Sequence, residues 1–108
     1  MNHQTTVVNI RKTSNAIYIG RSKTKPNHFG NPFSHLDLAH TIKVPDREAS
    51  ITAFQEWLEG NSKWAHIEPD RRAWILENLQ SLKGKQLGCF CAPQSCHGDV
   101  YVTMLQQS

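Results

Sequence analysis

Acidic residues are scarce in the first part of this chain. Residues 1–43 carry one carboxylate, Asp37, against six cations, Arg11, Lys12, Arg21, Lys23, Lys25 and Lys43, whereas acids outnumber bases from residue 44 onward. Apolar runs are also short. None approaches the roughly 18 residues of a membrane span, so no membrane partner is expected. The opening Met1-Asn2-His3-Gln4-Thr5-Thr6 lacks the basic-then-apolar order of a secretory leader, and a cytoplasmic location is the expectation. There is no Gly-x-x-x-x-Gly-Lys loop and no Gly-x-Gly-x-x-Gly turn, which disfavours standard ATPase and nicotinamide readings. Cysteine is confined to Cys89, Cys91 and Cys96, an odd number in one short segment. In a cytosolic chain that reads as metal binding or thiol chemistry before it reads as a disulfide framework.

What is present suffices for one core. Hydrophobic residues make up 38 % of the 108 and include three Trp and four Phe, which excludes wholesale disorder and fits a single domain over 1–108. Thr6–Ile10 and Ala16–Ile19 are β-branched runs, predicted as two strands and a candidate hairpin across Arg11–Asn15. Phe29-Gly30-Asn31-Pro32-Phe33 marks a tight turn fastened by an aromatic on each side. Pro45-Asp46 opens a helix to Glu59, with Asp46 as cap and a stripe of Ile51, Phe54 and Leu58 flanked by Ala53 and Trp57. Gly60-Asn61 stops it. A second helix is predicted over Pro69–Leu82 with Ile75, Leu79 and Leu82 inward. Gln86–Cys91 reads as a buried strand and His97–Gln107 as a last helix. This order predicts an α/β fold, a small single-domain sandwich of a short mixed sheet with about three helices, the last strand central. The junction at 91–97 then falls at the carboxyl-end crevice where open α/β sheets bind ligands.

The segment Cys89-x-Cys91-Ala-Pro-x-x-Cys96-His97-Gly98-Asp99 carries the strongest chemical signal. Strand alternation puts Cys89 and Cys91 on one face and Phe90 on the other. Cys96 and His97 fall at a helix start, where free N–H groups favour an anion or a thiolate. Three readings stay open. Cys89, Cys91, Cys96 and His97 would form a structural zinc site, although adjacent Cys96 and His97 chelate one ion awkwardly. Alternatively, Cys91 or Cys96 is a nucleophile or ligand, with His97 or Asp99 as acid–base group. In the third, the cysteines are small buried hydrophobes and His97 or Asp99 caps the helix.

Gly20-Arg21 at a strand end permits close approach and a guanidinium fork onto phosphate. Asn31 is placed to read a base or sugar, and Phe29 or Phe33 to stack on a base. With Arg11 and Gly30, these complete the candidate ligand-binding set. The bland alternative is a well-fastened loop. Trp57, Trp64 and Trp74 read as packing, and Asp70-Arg71-Arg72 as charge on a helix surface.

Val8-Asn9-Ile10-Arg11, Tyr18-Ile19-Gly20-Arg21, Phe29–Phe33, Ala53-Phe54-x-x-Trp57-Leu58 and Leu87–Val100 together resemble the domain-of-unknown-function family 4326, found in phages, prophages and bacteria. The tail is also similar, over a short stretch, to the closing motif of uncharacterised family 488. The resemblance implies a phage or bacterial cytoplasmic setting and supplies no reaction. The expected function is therefore binding of a nucleotide or nucleic acid where Gly20-Arg21, the Phe29–Phe33 turn and the Cys91–His97 junction meet, with or without catalysis. The alternatives are a non-catalytic module for a host protein or DNA, and a zinc-stabilised domain. No cofactor is expected outside the zinc reading.

Overall fold

The computed structural model describes residues 4–13, 15–22, 25, 27–36, 38, 41–90 and 96–106. Its three-stranded sheet consists of β1 (Thr6–Asn9), β2 (Ile17–Tyr18) and β5 (Gln86–Cys89), ordered β1-β5-β2 with both pairings parallel. The last strand is central, as its apolar Leu87-Gly88-Cys89 predicts. The expected hairpin does not form. β5 lies between the two N-terminal strands, pairing Val7 with Leu87 on one side and Ile17 with Leu87 on the other.

A parallel connection from β1 to β2 across β5 leaves a short path, and both its described ends, Ile10 and Ala16, lie against Gly88. Gly88 makes the crossing possible. A Cβ there would press into the Ile10 side chain and come within 3.1 Å of the Ala16 Cβ. The crossing begins at a tight bend in which Asn9 Oδ1 accepts the Arg11 N–H at 2.9 Å.

A second, two-stranded parallel sheet joins β3 (Phe33–Ser34) to β4 (Ile42–Lys43). Helix α1 (Arg47–Leu58) starts at the predicted cap, with Asp46 accepting the Ala49 N–H at 2.7 Å. It ends at Gly60, whose φ of 86° suits a glycine. There the Gly60 N–H donates to Trp57 O and the Asn61 N–H to Glu56 O, which closes off the last turn. The buried stripe is rotated from the predicted one. Ala53, Phe54, Trp57 and Leu58 are buried, and Ile51 lies partly exposed at its edge.

Helix α2 (Pro69–Asn78) is shorter than predicted and tightens into a 3-10 helix over Leu79–Leu82, with Ile75, Leu79 and Leu82 inward. Helix α3 (Gly98–Gln106) buries Val100, Tyr101 and Leu105 and packs against β1 and α1. The three tryptophans are packing residues as expected. Trp57 is fully buried, Trp64 meets Phe33 at 4.7 Å, and Trp74 meets Phe29 at 4.9 Å.

The reading of Asp70-Arg71-Arg72 as surface charge is corrected for both arginines. Arg71 is only 4 % exposed. Its Nη1 donates to His28 O at 3.0 Å and Gly30 O at 2.7 Å, while Nε and Nη2 grip the Glu68 carboxylate at 2.9 and 3.1 Å. Glu68 pays with its backbone: among the described residues it is the one non-glycine with left-handed φ, 34°, and its side chain does not cap α2. Arg72 donates to Trp57 O and Leu58 O at 2.7 and 2.9 Å. α1 has no basic residue in its own last turn, so α2 supplies the cation that its exposed carbonyls favour. The result is an α/β fold of three helices and two small parallel sheets. Among the described residues, no helix is long and apolar enough to cross a membrane.

Candidate functional site

The carboxyl ends of β2 and β5, the turn before β3 and the start of α1 enclose a crevice of about 520 Å3. Gly20, Arg21, Asn31, Cys96 and His97 all line it, so three segments distant in sequence meet there. Phe29, Gly30, Arg11 and Asp99 do not line it. Cys91 lies outside the described residues, as do its roles as nucleophile and zinc ligand.

The polar side chains around the crevice are largely engaged with main chain. Arg21 donates through Nε to Asn31 O and through Nη2 to Phe33 O, both at 2.8 Å. Its fork thus clasps the turn instead of standing open for a phosphate, although its charge remains on the crevice wall. The turn lies tight against it: a Cβ on Gly30 would come within 2.7 Å of the Arg21 Cα. Asn31, expected to read a ligand, is buried. Its Nδ2 donates to Ser50 O and Oγ at 3.2 and 2.9 Å, and its Oδ1 accepts the Phe33 N–H at 2.9 Å. Those bonds fix the turn onto α1. The rings of Phe29 and Phe33 are packed against Trp74 and Trp64, and neither lines the crevice.

His97 is a pin. Its Nε2 lies 2.7 Å from Ile19 O and 3.1 Å from Phe29 O. Carbonyls only accept, so Nε2 carries the proton. Burial lowers the His97 pKa to about 4, an effect that these backbone bonds oppose and the Arg21 charge reinforces. The ring is therefore neutral near pH 7, with its one proton committed, which corrects the expected acid–base role. Tyr101 adds a second donor to Phe29 O at 2.7 Å, and burial raises its pKa.

The expected activated thiolate at Cys96 is also corrected. Cys96 and Cys89 are both buried, with their Sγ atoms 3.2 Å apart. Burial, and then the neighbouring Cys89, raise the Cys96 pKa, outweighing the contribution of the Gly98 N–H. Asp99 accepts the Cys96 N–H at 3.2 Å, a capping contact at the start of α3. Among the described residues, no three His, Cys, Asp or Glu side chains converge as metal ligands. The Nε2 of His97 is already taken by carbonyls.

Several lining residues were not in the predicted set. Arg47, Ser50 and Ile51 enter from one face of α1, and Tyr18 and Phe90 from the strand ends. Arg47 left a signal in sequence: a cation in a helix's first turn opposes the macrodipole and so calls for another use. Tyr18 and Phe90 left only their placement at the ends of apolar runs.

A parallel α/β domain with a ligand-sized, cationic crevice at its strand ends is what fold and site define. The chain belongs to the family described as Domain of unknown function (DUF4326), whose model matches residues 3–107. No curated protein and no solved structure matches the chain.

Proposed function

We propose that the protein binds a phosphate-bearing ligand, a nucleotide or nucleic acid, in this crevice. The supporting observation is the composition of the wall: Arg21 and Arg47 contribute two positive charges, and no acid is among the described lining residues. A low-dielectric crevice with one sign of charge focuses its potential on an anion. Its 520 Å3 falls within the range of small-ligand sites and accommodates about one nucleotide. The position at the carboxyl ends of parallel strands, beside the first turn of α3, is where such folds place anionic ligands. Binding is a better fit than turnover, because the described thiols are buried and His97 has its proton committed.

The test is calorimetric titration with nucleoside monophosphates, their parent nucleosides and short oligonucleotides at low salt. Phosphate-bearing ligands should bind, the nucleosides should bind more weakly, and affinity should fall as salt rises. Arg47→Ala removes a partly exposed cation and should weaken binding roughly tenfold, a typical cost for one charged contact. Absence of binding by every phosphate-bearing ligand at low salt would overturn the proposal.

A further inference from the structure

Two large aromatic rings stand in solvent where the sheet stops. Tyr18 closes β2 and is 44 % exposed; Phe90 follows the last residue of β5 and is 55 % exposed. The rings meet edge to face, with 5.9 Å between centroids and 67° between planes. Tyr18 is anchored through its hydroxyl, which donates to Arg21 O at 3.2 Å. Arg11, two residues past β1, sets its guanidinium carbon 5.1 Å from the Phe90 ring centre. Each strand of the sheet thus delivers one planar group to the same edge. The other aromatics are buried or partly buried against the core, so water-exposed rings at this edge are costly unless something covers them.

Charge and position narrow what that something is. Both rings belong to the crevice wall that carries Arg21 and Arg47, so the occupant has a flat apolar part joined to an anion. Arg11 lies outside the crevice, against Phe90, and exposed Lys12 follows it. A nucleoside monophosphate has no further phosphate to offer these outer cations. The extra phosphates of a di- or triphosphate extend from one side of the base only, whereas a strand has phosphates on both sides. A duplex offers no free base face in its interior, since stacking on the rings requires an unpaired base.

Building on the binding reading above, we propose that Tyr18 and Phe90 form a stacking platform for an unpaired base of a single-stranded nucleic acid. Its flanking phosphates lie along Arg21 and Arg47 on one side and Arg11 on the other. Stacking on a ring tolerates any base, so selectivity would be for single strands over duplexes more than for sequence.

The experiment is fluorescence anisotropy of labelled six-nucleotide single strands, of the matching duplex and of a labelled mononucleotide, with the full chain. Phe90→Ala and Tyr18→Ala should each weaken single-strand binding by roughly 5- to 100-fold, the range for loss of one base–aromatic stack. Phe90→Tyr should retain it, and the melting temperature of Phe90→Ala should stay near that of the parent because the ring is exposed. Strands that bind equally well to the parent and both alanine variants, while Arg47→Ala weakens them, would overturn the platform and leave the crevice reading intact. Equal affinity for the mononucleotide or the duplex would overturn the commitment to single strands. Failure of every phosphate-bearing probe to bind would remove the crevice reading and the platform with it.

Discussion

Replacing Arg71 by alanine should be among the most damaging single changes in this chain. The side chain makes four hydrogen bonds, two to the carbonyls of His28 and Gly30 and two to Glu68, and its guanidinium carbon lies 5.3 Å from the Trp57 ring centre. These bonds are unequal. Glu68 is 45 % exposed, so its carboxylate rehydrates when the partner leaves, and that pair contributes at most about 1 kcal/mol. The carbonyl bonds are charge-assisted and partly or fully buried, and each contributes roughly 1.5–3 kcal/mol. The expected loss is therefore roughly 3–5 kcal/mol, a large part of the ~5–15 kcal/mol typical of a domain. In urea unfolding the midpoint should fall accordingly, and the melting temperature by roughly 10–20 °C. Arg71→Lys should recover less than half, since an ammonium cannot span two carbonyls and a carboxylate with the guanidinium's fixed fork. A loss below about 1 kcal/mol, or a lysine variant as stable as the parent, would refute the claim that this cation holds the 28–30 turn.

Two further outcomes are expected. His97 has a folded pKa of about 4 against an ordinary 6.5, so its contribution to stability is complete above pH 6.5 and declines as pH falls toward 4. Its ring protons, followed by NMR, should titrate near pH 4, and a midpoint at 6 or above would contradict the pin. Cys89 and Cys96 should resist iodoacetamide at pH 7.5 in the folded chain by roughly tenfold or more relative to an exposed thiol, reacting once urea unfolds it. Rapid modification of native Cys96, read by peptide mass spectrometry, would restore it as an accessible thiolate.

The parts of the fold legible in sequence are those set by local chemistry. Asp46 and Gly60 bracket α1 because capping needs only the residues within one turn. The central position of β5 followed from its apolar run. β2 falls within the predicted Ala16–Ile19 run, whereas β3 and β4 are two residues each, too short for any periodicity to declare them. The hairpin expectation failed on a non-local event, the insertion of β5 between β1 and β2, and Gly88 gives no sign of the crossing until its neighbours are known. The place of the candidate site was legible, since Gly20-Arg21, Asn31 and Cys96-His97 do share a crevice. Their individual roles were not. Arg21, Arg71, Arg72, His97 and Tyr101 all donate to main-chain carbonyls, and a sequence displays side chains without displaying which carbonyls will face them.

That pattern bears on what the crevice is suited to do. A carbonyl bond fixes an arginine without cancelling its charge. Arg21 is held at two points by the turn, so its positive charge sits on the wall in a set position and little rotamer entropy remains to be lost when an anion arrives. Arg71, gripped by the Glu68 carboxylate, lies in the core and not on the wall. Two groups expected to act as base or nucleophile are instead locked, His97 by two carbonyls and Cys96 by burial beside Cys89. Fixed charge, fixed turn and exposed rings at one sheet edge amount to a preorganised surface, and on that preorganisation the proposed binding of a flat, anionic ligand rests.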